Sequence, residues 1–226
     1  MSCLWRRWLS KNFKKASRLG VVTLELYVFQ GNHKNRSEEL LRKAIETYAK
    51  EKSEPGLDFC YVDFTGVELK KTERGKPYIE GNPVSFSISH TGDIWSCLIS
   101  QENVGLDIQQ KRKANFNKLA NRFFLQEEIK FVRDNGSDGF FDIWVCKEAC
   151  VKYFGTGIRD LRSFCVVKDG KLLEEISFEG EDSNLAKKAV GKDSVCFINV
   201  FELAWDVKGA YCCGTKDCSL WIRELK

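Results

Sequence analysis

The chain is predicted to be an α+β protein in two halves, each with a helix and several antiparallel strands. Two observations carry this. Each half holds an amphipathic helical stretch and a series of short β-branched and aromatic runs separated by turn residues. The strict alternation of helix and strand that a doubly wound parallel sheet needs is missing. The 226 residues are 43% hydrophobic and 12% aromatic, enough to bury a core and unlike a disordered chain. The boundary falls between Gln101 and Val104, giving a basic N-terminal extension over 1–20, a first half over 21–102 and a second half over 103–226.

In order, VVTLELYVF (Val21 to Phe29) reads as a strand. Ser37 to Glu51 reads as a helix through Leu40, Leu41, Ala44, Ile45 and Tyr48, stopped by Pro55 and Gly56. LDFCYVDF, KPYI, VSFSIS and IWSCLIS follow as short strands, and then GLDIQ. Ala114 to Gly155 is helical, with a break near Asp134 to Gly139. SFCVV, KLLEEISF, SVCFINVF, AYCCG and SLWI read as strands.

Charge is placed unevenly. The first 20 residues hold Arg6, Arg7, Lys11, Lys14, Lys15 and Arg18 and no acid; taking those six from 36 basic residues leaves 30 against 32 acidic, a net −2 for the body. A nucleic-acid binder needs a basic body, so this class is disfavoured. The arm reads first as a solvated extension, and otherwise as an anionic-surface contact, a membrane-interface helix or a transit peptide. No apolar run approaches the ~20 residues of a membrane span, and no continuous apolar segment near the start suggests a signal peptide. Most of the ten cysteines lie in apolar runs and read as buried, reduced thiols of a cytoplasmic protein. A zinc site from Cys212, Cys213 and Cys218 is the sharper alternative. Adjacent cysteines on a strand face opposite sides, however, and no Cys-x-x-Cys pair exists.

Three short stretches carry chemistry-bearing residues. In SFSISHTG, Phe86, Ile88 and His90 share one strand face and Ser85, Ser87 and Ser89 the other. A histidine at a strand end beside hydroxyls and a glycine turn suits an anion, although taken alone it is an ordinary turn histidine. In VGLDIQQ, Asp107 is an acid in an otherwise apolar strand, costly to bury unless it is paired or holds a metal. In WVCKEACVK, Glu148 and Lys152 lie one turn apart beside an apolar arc of Val145, Cys146, Ala149, Cys150 and Tyr153. A solvated pair at this spacing is worth only ~0.2–0.5 kcal/mol, which does not explain an acid at the edge of a buried face.

GKPY, SFSISHTG, VGLDIQ, RFFLQEEI and WVCKEACVKYFGTGI, in this order and spacing, resemble the 4′-phosphopantetheinyl transferases of the Sfp type. That family's pieces are a GKP segment, an F-x-I-S-H-S/T-G segment, a G-I-D segment and a W-x-x-K-E-A/S-x-x-K segment ending in G-x-G. The match is firm over Arg74 to Ile158 and looser through the C-terminal strands. The part before residue 30 does not match well and reads as an addition or a different gene start.

The resemblance implies a pseudo-dimer of two α+β halves with coenzyme A, the substrate, in the cleft between them. It implies transfer of the phosphopantetheine arm to a serine of an acyl, peptidyl or aryl carrier protein, with 3′,5′-ADP as the other product. Mg²⁺, with Mn²⁺ as a substitute, would be held by Asp107 and Glu148, with the Gln109 amide or a water in the third position. Ser89 and His90 would contact phosphate, Lys76 with its neighbour Pro77 the nucleotide, and Lys152 the pyrophosphate. Glu148, directly or through a water on the metal, would take the serine proton. Many members have glutamate where this chain has Gln109, whose amide can ligate but brings no charge. The 3′-phosphate contacts follow by position only, with Arg36, Lys34 and Arg42 as candidates. Acidic carriers (ACP, PCP or ArCP) would be steered by Arg112, Lys113, Lys118 and Arg122, which equally suit a solvated face. A monomer is expected. The other reading is a non-catalytic coenzyme A- or carrier-binding module of the same fold.

Overall fold

Strand β1 (Val22–Gln30) is the centre of the first unit and is buried on both faces, Leu24, Leu26 and Val28 on one and Glu25 and Tyr27 on the other. The computed structural model describes residues 22–52, 68–72, 76–80, 84–177 and 195–226. The basic arm, the LDFCYVDF run, Pro55, Gly56 and Gly75, with Cys3 and Cys60, lie outside them. The fold is α+β, and the chain divides into Met1–Glu102 with Asp217–Lys226, and Asn103–Lys216.

In the first unit β1 is followed by α1 (Ser37–Lys52), whose buried stripe is Leu40, Leu41, Ala44, Ile45, Tyr48 and Ala49. After the small β2 (Leu69–Lys71) and β3 (Pro77–Ile79) pair come β4 (Ser85–Thr91) and β5 (Ile94–Ser100), antiparallel to each other. β5 pairs antiparallel with β1 and is buried throughout. The remaining strand is β12 (Cys218–Glu224), giving the order β12-β1-β5-β4. Here the structure departs from the sequence reading twice. The last ten residues belong to the first unit rather than to a second half running to 226. Their strand is also parallel to β1, with Leu24 opposite Leu220 and Tyr27 opposite Arg223.

The reason for that pairing is electrostatic as well as hydrophobic. Glu25 is 1% exposed and accepts hydrogen bonds from Tyr27, from Arg223 Nε at 2.9 Å and from Lys52 Nζ at 2.8 Å. Arg223 also meets Glu51 at 2.9 Å. A buried carboxylate is tolerable only with such partners, so β1, α1 and β12 are tied through one side chain.

The second unit opens with β6 (Val104–Gln110), then α2 (Phe116–Phe123) and α3 (Gln126–Phe154). The expected interruption between Asp134 and Gly139 is a kink at Gly136, φ 64° and ψ −142°, within an otherwise continuous α3. A 3₁₀ segment (Ile158–Ser163) leads to β7 (Val167–Lys168), β8 (Lys171–Leu172) and β9 (Glu175–Ser177). Then β10 (Val195–Ala204) and β11 (Val207–Cys213) complete an antiparallel sheet in the order β6-β11-β10-β9. SFCVV was expected as a strand, but only Val167 at its end is one. The backbone before it is otherwise engaged: Lys147 Nζ takes the carbonyls of Leu161, at 2.7 Å, and Phe164.

The core of this unit lies between α3 and its sheet. Phe124, Phe140, Val145, Cys146, Ala149, Cys150, Ala210 and Cys212 are among its buried members. Trp144 stacks on Phe140 at 5.7 Å and meets Phe123 edge-on at 5.6 Å, which joins α2 to α3.

Candidate active site

Strand β6 and helix α3 approach each other at a glycine. A Cβ on Gly105 would stand 2.0 Å from the Ala149 carbonyl oxygen and 2.6 Å from the Tyr153 nitrogen, both backbone atoms. Only glycine fits there. Side chains alternate along a strand, so Asp107 and Gln109 share the face of Gly105 and project along the same side of β6. The close approach therefore brings Asp107 beside the α3 turn that holds Glu148 and Lys152.

The ammonium of Lys152 reaches the strand: its Nζ lies 2.7 Å from Asp107 Oδ1, with Asp107 almost fully buried. Glu148 is half-buried and its carboxyl is pushed up to about 7. Burial is the main cause, the Asp107 charge adds to it, and Lys152 opposes both. Two carboxylates and the Lys152 ammonium thus act on one another at this place. An oxygen-donor pair of this kind fits a hard divalent ion such as Mg²⁺, which takes one or two carboxylates and completes its shell with phosphate and water. Gln109 donates from Nε2 to the Gln110 carbonyl at 3.3 Å.

Helix α3 is held in rotation by groups the sequence reading left aside. Lys147 and Glu128 are both fully buried and pair at 2.8 Å. Glu128 also accepts from the backbone N–H of Leu125 and of Val166. This one carboxylate closes the N-terminus of α3 and anchors the residue before Glu148. The sequence carries only half of the capping-box signal, Glu128 at the third helical position, because Leu125 stands where a hydroxyl residue would. At the far end Gly155 stops the helix in the left-handed region, φ 64° and ψ 30°.

In the first unit, Ser89 is buried and its carbonyl accepts from Ser96 Oγ at 3.0 Å, while His90 is exposed at the end of β4. His33, given no role from sequence, faces it with ring centroids 5.2 Å apart, and its Nε2 contacts the Gly92 carbonyl at 3.1 Å. The chain's two histidines thus meet at one strand end, beside the turn that carries Lys34 and Arg36. Arg36 lies over the Phe29 ring and engages Glu39 through both Nε and NH2, at 2.9 and 2.7 Å. That exposed pair is weak and exchangeable. Arg42 pairs with Glu38 at 3.0 Å. Lys76 and Pro77 stand at the start of β3, where the Lys76 N–H donates to Thr72 Oγ1 at 3.0 Å. Arg112, Lys113, Lys118 and Arg122 are exposed before and along α2.

Cys212 and Cys213 of the alternative zinc set do not converge: the Cys213 sulfur turns to the Phe197 and Thr215 carbonyls, and Cys212 points to the opposite face.

Residues 103–214 match the family model of the 4′-phosphopantetheinyl transferase superfamily. A 4′-phosphopantetheinyl transferase of Bacillus subtilis is 29% identical over 163 residues, covering 69% of this chain and 67% of its own length. The 4′-phosphopantetheinyl transferase Sfp of Bacillus subtilis strain 168 is 29% identical with the same coverage. The 4′-phosphopantetheinyl transferase AcpT of Salmonella typhi is 38% identical over 95 residues, 39% of this chain and 50% of its own. With G-L-D on β6, W-x-x-K-E-A-x-x-K on α3 and the closing G-x-G all in the matched region, the chain belongs to the 4′-phosphopantetheinyl transferase superfamily.

Proposed function

We propose that the protein moves the 4′-phosphopantetheine arm of coenzyme A onto a serine of an apo carrier protein, releasing 3′,5′-ADP. The carrying observation is the cluster of Asp107, Glu148 and Lys152, brought together by the glycine contact between β6 and α3. The family relation supplies the substrate class.

Asp107 and Glu148 are the residues that would hold Mg²⁺, or Mn²⁺ in its place, with Gln109 as the neutral third donor. The ion would supply charge neutralisation on the pyrophosphate oxygens as the phosphorus–oxygen bond to the leaving 3′,5′-ADP breaks. Lys152, already drawn toward the same place, orients the pyrophosphate and offers its ammonium to the leaving oxygen. Glu148, directly or through a water on the metal, would take the proton of the incoming serine. In the first unit Ser89, His90, Lys76 with Pro77, and Arg36 are assigned to phosphate and nucleotide contacts. Arg36 exchanges Glu39 for phosphate at little cost. The basic residues ahead of and along α2 are assigned to an acidic carrier protein. The pseudo-dimer organisation, a cytoplasmic location and a monomeric state complete the reading.

The reading is tested by following 3′,5′-ADP released from coenzyme A with Mg²⁺ and a panel of apo carriers. Release should need the carrier and stop with a chelator. Asp107→Ala and Glu148→Ala should each lose it by at least ~100-fold, as removal of a transition-state electrostatic partner does, while keeping the wild-type circular dichroism. Full activity in either variant would remove the assignment of that carboxylate. Coenzyme A binding without release would favour the non-catalytic module.

A further inference from the structure

On the side of α3 turned away from Glu148 and Lys152, three thiols converge. Cys150 lies two residues from each, about 200° around the helix axis. It faces the sheet, where Ile198 of β10 is opposite Cys212 of β11. Cys196, two residues before Ile198, is therefore the diagonal neighbour of Cys212 on the same face. The three sulfurs all lie within 4.8 Å of one another, and Cys150 and Cys212 are 4.0 Å apart. All three cysteines are free and 0% exposed, in a core shared with Ala149, Ile198 and Ala210.

One cysteine in a core is a small hydrophobe and needs no other account. Three from three different elements, with sulfurs in mutual reach, form a donor set. The set stops at three: among the described residues no further His, Cys, Asp or Glu joins it. Zinc wants four ligands, so it is poorly matched. Monovalent copper accepts three thiolates but would leave two negative charges in an apolar core, which is costly. Trivalent arsenic meets both conditions. Arsenous acid, As(OH)₃, and three Cys thiols give As(S-Cys)₃ and three waters. Three arsenic–oxygen bonds break and three arsenic–sulfur bonds form. Each thiol proton leaves in water, no oxidation state changes, and reactants and product are uncharged.

We propose that Cys150, Cys196 and Cys212 form a trigonal three-sulfur site for trivalent arsenic, one that joins helix α3 to strands β10 and β11. The site is separate from the magnesium carboxylates and does not depend on the transferase reading. Because it is closed to solvent, it loads slowly in the folded protein and quickly while the chain is folding.

The test is to incubate the reduced full chain with arsenous acid, both natively and during refolding, and remove free reagent. Wild type should retain one arsenic per chain, with a mass gain of one arsenic less three hydrogens. It should show a raised unfolding temperature and three fewer alkylatable thiols. Cys196→Ala and Cys212→Ala should retain none, and Cys97→Ala, which removes a buried thiol of the other unit, should load like wild type. Should a core variant fail to fold, peptide mapping of wild type decides, with Cys150, Cys196 and Cys212 as the protected thiols. No retained arsenic, protection of other cysteines, a two-thiol adduct, or retention unchanged in folded Cys196→Ala would each overturn the proposal.

Discussion

Gly105 shows how much of the site depends on an atom that is missing. The space for its Cβ is filled by the Ala149 carbonyl and the Tyr153 nitrogen, neither of which can rotate away. Gly105→Ala should therefore push β6 from α3, costing at the upper end of about 1–3 kcal/mol, read as a lower denaturant midpoint. It should also weaken transfer more than a substitution of equal stability cost elsewhere, since Asp107 moves with the strand. The three charges of this cluster were legible at this scale: Asp107, Glu148 and Lys152 stand out on apolar elements. Their partnership was not. From sequence, the one-turn spacing pointed to Glu148 as the Lys152 partner, and only the strand approach reveals that Asp107 takes the ammonium. Nothing local to either segment encodes that distance.

At the scale of elements, α3 is the working part. Its two ends are fixed by Glu128 and by Gly155, and its rotation by Lys147. Glu128→Ala should leave the Lys147 ammonium buried without its carboxylate and cost about 3–5 kcal/mol, measured by chemical unfolding. Glu128→Gln, which keeps shape and one acceptor, should cost less. A Glu128→Ala protein as stable as wild type would show that the pair does not hold the helix. The helices and the long strands were legible because their periodicity is strong, as in the α1 stripe from Leu40 to Ala49. The segment around SFCVV was misread because its composition suits a strand while its carbonyls at Leu161 and Phe164 serve Lys147. Composition reports what a segment can do, and the buried ammonium decides what it does.

At the scale of the whole molecule, the chain returns to its start. β12 joins the first unit beside β1, and Glu25 links β1, α1 and β12. Burial works to raise the Glu25 carboxyl, and Lys52 and Arg223 overcome it, so its pKa is lowered. A lowered folded-state value means the native state holds the charged form more tightly than the unfolded state does. The stability this gives is present above the unfolded value near 4.5 and is lost as pH falls through the lower folded value. Wild type should thus lose stability on acidification in that range, and Glu25→Gln should show a flatter dependence there; an identical acid limb in both would exclude the clamp. The return of β12 was not legible, because SLWI carries a strand pattern with no mark of its partner or direction.

The most direct test of the central claim is the intact mass of an apo carrier protein after incubation with this protein, coenzyme A and Mg²⁺. A gain of one phosphopantetheine on the carrier serine, absent with Glu148→Ala, is the predicted result. An unchanged mass across acyl, peptidyl and aryl carriers, with the protein folded and binding coenzyme A, would contradict it.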